Sequence, residues 1–171
     1  TEIGFNNTYV ATGNTNIPAK KPVNNAEPSN AEQFTFTLMA DDNAPLKKAD
    51  GTAYTTAELT VKNNGQAITF PNLYYTLNDV RTDPYVYTVR EQGTDGNGYT
   101  LDKTIYKVEV TVSEGTTRNG QLKVTKVFKV GEEVKTEIGF DNTYVATGNT
   151  NIPAKKTVNN AEPSNAEQFT F

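Results

Sequence analysis

Apolar and polar residues alternate with a period of two along almost the whole chain. Ile3, Phe5 and Tyr9 share one face, with Asn7 in phase between them. Ile17, Ala19 and Val23 share another, with Lys21 between them. Phe34, Phe36 and Leu38 alternate with Thr35 and Thr37; Ala57, Leu59 and Val61 follow, then Ile68 and Phe70. Tyr85, Tyr87 and Val89 lead into Glu91, and Tyr106, Val108, Val110 and Val112 make the most regular run. Leu122, Val124, Phe128 and Val130 come next, and Ile138, Phe140 and Tyr144 close the series with Asn142 in phase. Short alternating runs bounded by Asn, Gly, Asp and Pro are the pattern of half-buried antiparallel strands. No stretch keeps a helical period. About nine strands in roughly 130 residues predict an all-β fold, an immunoglobulin-like antiparallel β-sandwich.

The chain also repeats itself. Residues 1–36 recur as 136–171 with two differences, Asn6/Asp141 and Pro22/Thr157. The offset (136 − 1 = 135) is the size of one ordinary domain, so the repeat reads as one full period of a tandem array. On this reading residues 1–10 are the last strand of a preceding unit and 11–16 (ATGNTN) a short joint. Residues 17–146 are one complete domain, 147–151 a second joint, and 152–171 the first strands of a following unit. A joint this short restricts the angle between domains. Orphan end strands, Thr1 to Tyr9 and Ile152 to Phe171, are expected to offer open edges and to allow strand exchange between copies.

Composition narrows the chemistry. The 171 residues include no Cys and no His and carry a net charge of −4. Disulfides, thiol nucleophiles, imidazole bases and the commonest zinc sites are excluded. No basic block is present, so nucleic acid is not an expected partner. No run of eighteen or more apolar residues suits a membrane span. GTDGNG (Gly93 to Gly98) lacks the spaced acidic ligands of a calcium loop and reads as a turn. No metal or cofactor is expected, and no constellation for turnover catalysis stands out, so the chain is not read as an enzyme.

Three polar residues fall on the wrong face. Lys21, Glu91 and Asn142 are each in phase with apolar neighbours, on the first, a middle and the last strand of the complete domain. Each alone could be a strand-end group that snorkels to water. Together they would put a Lys, a Glu and an Asn into one core, where unpaired charge costs several kcal/mol. Lys20 sits beside Lys21, and a bulge in the strand would make Lys20 the inward residue.

With these residues goes a set of motifs: IPAKKPV (Ile17 to Val23), EQFTFTL (Glu32 to Leu38), ITFPNLYY (Ile68 to Tyr75), YVYTVRE (Tyr85 to Glu91), YKVEVTV (Tyr106 to Val112) and IGFDNTY (Ile138 to Tyr144). The combination resembles the isopeptide-linkage domain of Gram-positive pilins and surface adhesins, of the streptococcal backbone-pilin (FctA, T-antigen) type, a CnaB-type sandwich. The resemblance implies an autocatalytic amide bond between Lys21 and Asn142, with Glu91 as catalyst. It implies too that Asn7 is the acceptor of the preceding unit and Lys156 the nucleophile of the following one. Burial would lower the Lys pKa and raise that of the Glu, giving a neutral amine and an acid able to hydrogen-bond the Asn amide oxygen. The chain departs from the family in lacking a Gly soon after the reactive Lys; Pro22 follows directly. No LPxTG-like sorting signal is present. The function implied is a structural stalk repeat of an extracellular, cell-wall-anchored adhesin or pilus, its partners the neighbouring repeats of the same polypeptide. The alternative is an adhesive module that binds a host protein or glycan through its loops, where Tyr54 and Tyr99 are the aromatic exceptions.

Overall fold

The architecture comes from a computed structural model, which describes residues 3–29, 31–41, 43–164 and 170. Thirteen strands appear among the described residues: β1 (Thr12–Thr15), β2 (Pro18–Lys20), β3 (Thr35–Ala40), β4 (Thr60–Lys62), β5 (Ala67–Thr69), β6 (Leu73–Thr76), β7 (Tyr85–Gln92), β8 (Tyr99–Thr100), β9 (Ile105–Glu114), β10 (Leu122–Val130), β11 (Glu133–Lys135), β12 (Ile138–Gly139) and β13 (Thr143–Tyr144). One 3-10 turn, Leu77–Asp79, follows β6. The fold is an all-β, immunoglobulin-like sandwich. Its large sheet has the order β11-β10-β9-β7-β3-β4 and is antiparallel throughout. The facing strands form a three-stranded sheet, β12-β2-β5, and two short pairs, β1-β6 and β13-β8.

Period two does what the sequence predicts. Tyr85, Tyr87 and Val89 of β7 and Tyr106, Val108, Val110 and Val112 of β9 are buried, while the residues between them are not. They share one core with Ile17, Ala19, Phe36, Leu38, Ile68, Phe70, Tyr75, Ile138 and Phe140. Tyr75 and Tyr87 are wholly buried; Tyr87 Oη donates to Pro45 O at 2.9 Å and accepts from Tyr75 Oη at 3.0 Å.

Among the described residues one strand ladder breaks the antiparallel rule, besides an isolated parallel bridge between Thr12 and Gln121. β12 lies parallel to β2, with Ile138 opposite Ala19 and Gly139 opposite Lys20. The parallel alignment continues to a bridge between Val23 and Asn142. The first and last motifs of the unit therefore run side by side in the same direction, which brings the residues just beyond β2 next to those just beyond β12.

The structure corrects several expectations. Residues 11–16, read as a joint, are mostly strand: β1 pairs with β6 from Thr12↔Thr76 to Thr15↔Leu73. Residues 3–10, read as a strand, are irregular, and Ile3 and Phe5 are 79 % and 91 % exposed. Their sequence is that of Ile138–Val145 except for Asn6 where Asp141 stands; Ile138–Val145 already occupies the place beside β2, and a lone strand without a partner has nothing to satisfy its backbone. Residues 152–157 are irregular for the same reason, while 165–169 and 171 lie outside the described residues, as do Thr1 and Glu2. Ala57 sits in a turn before β4; Thr55 and Glu58 exchange hydrogen bonds across it, Glu58 Oε2 accepting from Thr55 N at 2.8 Å and Glu58 N donating to Thr55 Oγ1 at 3.3 Å.

Candidate functional site

Lys21 follows β2 directly, and the strand register runs through it without a bulge: Lys20 lies opposite Ala67, and Lys21 N donates to Gln66 O at 2.7 Å. Alternation then sends Lys21 inward and Lys20 outward. Lys20 is exposed and pairs with Glu137 at 2.6 Å. Lys21 is 0 % exposed, a burial that lysine almost never reaches without partners. Asn142 is likewise 0 % exposed, and the Glu91 side chain is 1 % exposed. The structure thus brings Lys21, Glu91 and Asn142 together in the core. Asn7 and Lys156, their counterparts in the flanking copies, are exposed.

The polar geometry is specific. Lys21 Nζ donates to Phe140 O at 2.6 Å and to Pro22 O at 3.0 Å, and stands 4.7 Å from the centre of the Phe34 ring. Its distance to Glu91 Oε2 is 3.7 Å. Glu91 Oε1 accepts from Asn142 Nδ2 at 2.7 Å. Asn142 Oδ1 accepts from the backbone N–H of Asp102 at 2.7 Å. Phe36 and Tyr106 pack on Phe140 with ring centres 5.3 and 5.2 Å apart and close the site from water.

Burial shifts both ionisable groups toward their neutral forms. It pushes the Lys21 amine below the ordinary lysine range, against the pull of Glu91, Asp102 and Asp141. It pushes Glu91 above the ordinary carboxylate range, against the hydrogen bond from Asn142 and the charge of Lys21. Both shifts favour a neutral pair. The hydrogen bonds agree. A neutral amine has two N–H groups, which the Phe140 and Pro22 carbonyls take up, leaving its lone pair unshared. Among the described residues, Glu91 Oε2 is the one buried side-chain polar atom with no hydrogen-bond partner. An ionised carboxylate oxygen so placed would be costly; a protonated one at this atom is less so.

One expectation is corrected and one residue is new. The resemblance implies a hydrogen bond from Glu91 to the Asn142 amide oxygen, whereas Glu91 accepts from the amide nitrogen and the oxygen accepts from Asp102 N. The reason is the loop 101–104. Asp102 Oδ1 accepts from Thr104 N at 2.9 Å and Oδ2 from Asp141 N at 3.0 Å, which clamps the loop against the last strand and aims its N–H at Asn142. A backbone donor carries no signature in the sequence; only the Asp-x-Thr turn pattern at 102–104 hints at it.

Comparison with known proteins adds a family. Residues 17–145 match the model of the Spy0128-like isopeptide containing domain (FctA). No curated protein matches the chain. Among solved structures it is similar to the T3.2 major pilin protein of Streptococcus pyogenes, with 22% identity, 82% of this chain and 55% of that one covered, and a TM-score of 0.44. It is similar also to the T-13 major pilin of Streptococcus pyogenes, at 24% identity, covering 80% and 54%, with a TM-score of 0.44. A further Streptococcus pyogenes major pilin gives 21% identity, covering 81% and 51%, with a TM-score of 0.42. The chain spans about half the length of these pilins.

The two adjacent lysines separate cleanly in a stability measurement. Lys20→Ala removes an exposed pair and is expected to change the unfolding free energy by less than ~1 kcal/mol. Lys21→Ala opens a cavity beside the buried Glu91 and is expected to cost roughly 3 kcal/mol or more. Urea unfolding of both variants checks this; equal effects would contradict the assignment of Lys21 as the inward residue.

Proposed function

The chain belongs to the family of Spy0128-like isopeptide containing domains, and on that premise we propose that its unit is a structural repeat of a Gram-positive cell-surface pilus or adhesin, locked by a Lys21–Asn142 isopeptide bond that the fold makes for itself. The observation that carries this reading is the joint burial of Lys21, Glu91 and Asn142, with one oxygen of Glu91 left unpartnered.

The chemistry follows from the contacts. The lone pair of neutral Lys21 attacks Cγ of Asn142, forming the C–N bond. Negative charge grows on Oδ1, where the Asp102 N–H already points. Glu91 lies between the entering and leaving nitrogens, 3.7 Å from one and 2.7 Å from the other. It takes a proton from the Lys21 nitrogen and gives one to Nδ2, so the Cγ–Nδ2 bond breaks and ammonia leaves. The products are one secondary amide and one ammonia; no other reactant is needed. Folding supplies the proximity. The event occurs once per domain and is maturation, not turnover.

The mechanical consequence follows from topology. β2 and β12 are parallel, so tension on the start of one and the end of the other loads their pairing in shear. A bond joining residues 121 apart in sequence (142 − 21) would hold nearly the whole domain outside the path of that force. By analogy with a disulfide closing a loop of this length it adds roughly 4–5 kcal/mol through the unfolded state. It would replace the disulfides that a cysteine-free extracellular protein lacks. The adhesive alternative finds less support: the loop tyrosines are engaged within the domain, Tyr54 Oη donating to Asn72 O at 3.0 Å and Tyr99 Oη to Glu32 Oε1 at 2.6 Å. An extracellular site, with the parent chain anchored at the cell wall, goes with this function.

Two outcomes are expected. Under tension applied at its ends, Lys21→Ala releases about 400 Å more chain than the native protein, from 121 residues at about 3.4 Å each; equal extension would sink the proposed lock. Asp102→Pro, which deletes the N–H, slows bond formation after refolding by roughly 10²–10³, whereas Asp102→Ala keeps that donor and slows it less. Mass spectrometry against time reads both, and an unslowed Asp102→Pro would remove the N–H from the mechanism.

A further inference from the structure

Residues Thr8–Asn16 and Thr143–Asn151 are the same sequence, TYVATGNTN, yet the two copies stand in different states. In the first copy Ala11 is 1 % exposed, and Thr12 N donates to Gly120 O at 3.1 Å. Thr12–Thr15 forms β1 on β6, and Lys126 Nζ donates to Asn16 O at 2.6 Å. Gly13 lies so close over β10 that a Cβ there would stand 2.7 Å from Val124 Cγ2 and 3.0 Å from Leu122 Cβ. In the second copy Ala146 is exposed, residues 146–151 form no strand, and a Cβ on Gly148 would meet nothing within 4 Å.

The second copy holds to the domain before it instead. Thr143 and Tyr144 pair with Thr100 and Tyr99, the Tyr144 ring lies 4.6 Å from the Tyr99 ring, and Val145 N donates to Gly98 O at 2.9 Å. One sequence thus carries two sets of contacts, one to a preceding domain through 143–145 and one to a following domain through 9 and 11–16. They overlap at one residue. Tyr9 Oη accepts from Gly120 N at 3.4 Å with the Arg118 guanidinium 5.5 Å from its ring, while its counterpart Tyr144 packs at a tilt against Tyr99 and remains 40 % exposed. Val10 and Val145, adjacent to it, are 66 % and 61 % exposed, apolar surface that one copy alone leaves in water.

We propose that consecutive units of the array are joined with no free linker: the segment after β13 becomes the first strand of the next unit, and Tyr144 is clasped between Tyr99 of its own unit and the Arg118–Gly120 turn of the next. The partner surface is that turn together with β6 and β10 of a following copy of the same unit. The joint rests on the array reading above. It makes the stalk stiff at each junction as well as within each domain, because only Val145 and Ala146 separate a strand of one unit from a strand of the next.

Amide hydrogen exchange at Thr147–Thr150 tests this, compared between the 171-residue chain and a chain carrying residues 37–146 once more after Phe171. Exchange is expected to slow roughly 100-fold or more in the longer chain, as amides of irregular chain become paired strand. Gly148→Val should abolish that slowing in the longer chain and leave the shorter one unchanged. Equal exchange in the two chains, or slowing that survives Gly148→Val, overturns the proposal. In the 171-residue chain, Gly13→Val should speed exchange at Thr12, Asn14 and Thr15 while Tyr106–Val112 stay protected; no change there overturns it too. Intact mass of the longer chain separates joint from lock: protection at 147–150 without ammonia loss keeps the joint and removes the lock, and ammonia loss without protection does the reverse.

Discussion

The parallel pairing of β2 with β12 is the constraint on which the rest depends. Among the described residues every other laddered strand pair is antiparallel. Only a parallel first and last strand can place the residue after β2 and the residue beyond β12 on the same level and facing the same core. Val23 and Asn142 mark that level. Glu91, at the end of the long strand β7, reaches it from the opposite sheet, where its neighbours Tyr85, Tyr87 and Val89 show the phase that points it inward. Without this pairing Lys21 would have no carbonyl from Phe140 and no reason to leave water.

The site is held in a costly state. A lysine and a glutamate are buried side by side, 3.7 Å apart, beneath aromatic rings. As an unreacted pair they lower the stability of the fold, because burial acts against both charged forms. Conversion of Lys21 and Asn142 to an amide would remove the lysine amine from the core and leave Glu91 as a buried acid with no charged neighbour at Lys21, with a favourable direction set by release of ammonia to solvent. Stored cost and chemistry are thus linked: the burial that favours the neutral amine of Lys21 also favours its nucleophilic form.

Much of this was legible in the sequence. The sandwich class, the strands of the large sheet other than the short β11, and the inward phase of Lys21, Glu91 and Asn142 follow from period-two alternation, since burial on one face of a strand is a local signal. The orientation of the Asn142 amide was not legible, because it is set by the Asp102 N–H, a donor every residue except proline possesses. Nor was the fate of ATGNTN. Its polarity suggests a linker, but Gly13 lets it lie flat on Leu122 and Val124, more than a hundred residues away, and Ala11 is buried in the core. Residues 3–10 show the opposite: a strand pattern stays irregular when its own partner strands are absent and a near-identical segment already holds the place beside β2.

The central claim is a covalent bond, and the mass of the denatured chain tests it most directly. The account predicts that the purified protein is lighter than its sequence by one ammonia, and that Glu91→Ala restores the full mass. A native chain at full calculated mass would contradict it, leaving Lys21, Glu91 and Asn142 as a packed polar cluster and the stalk without its lock.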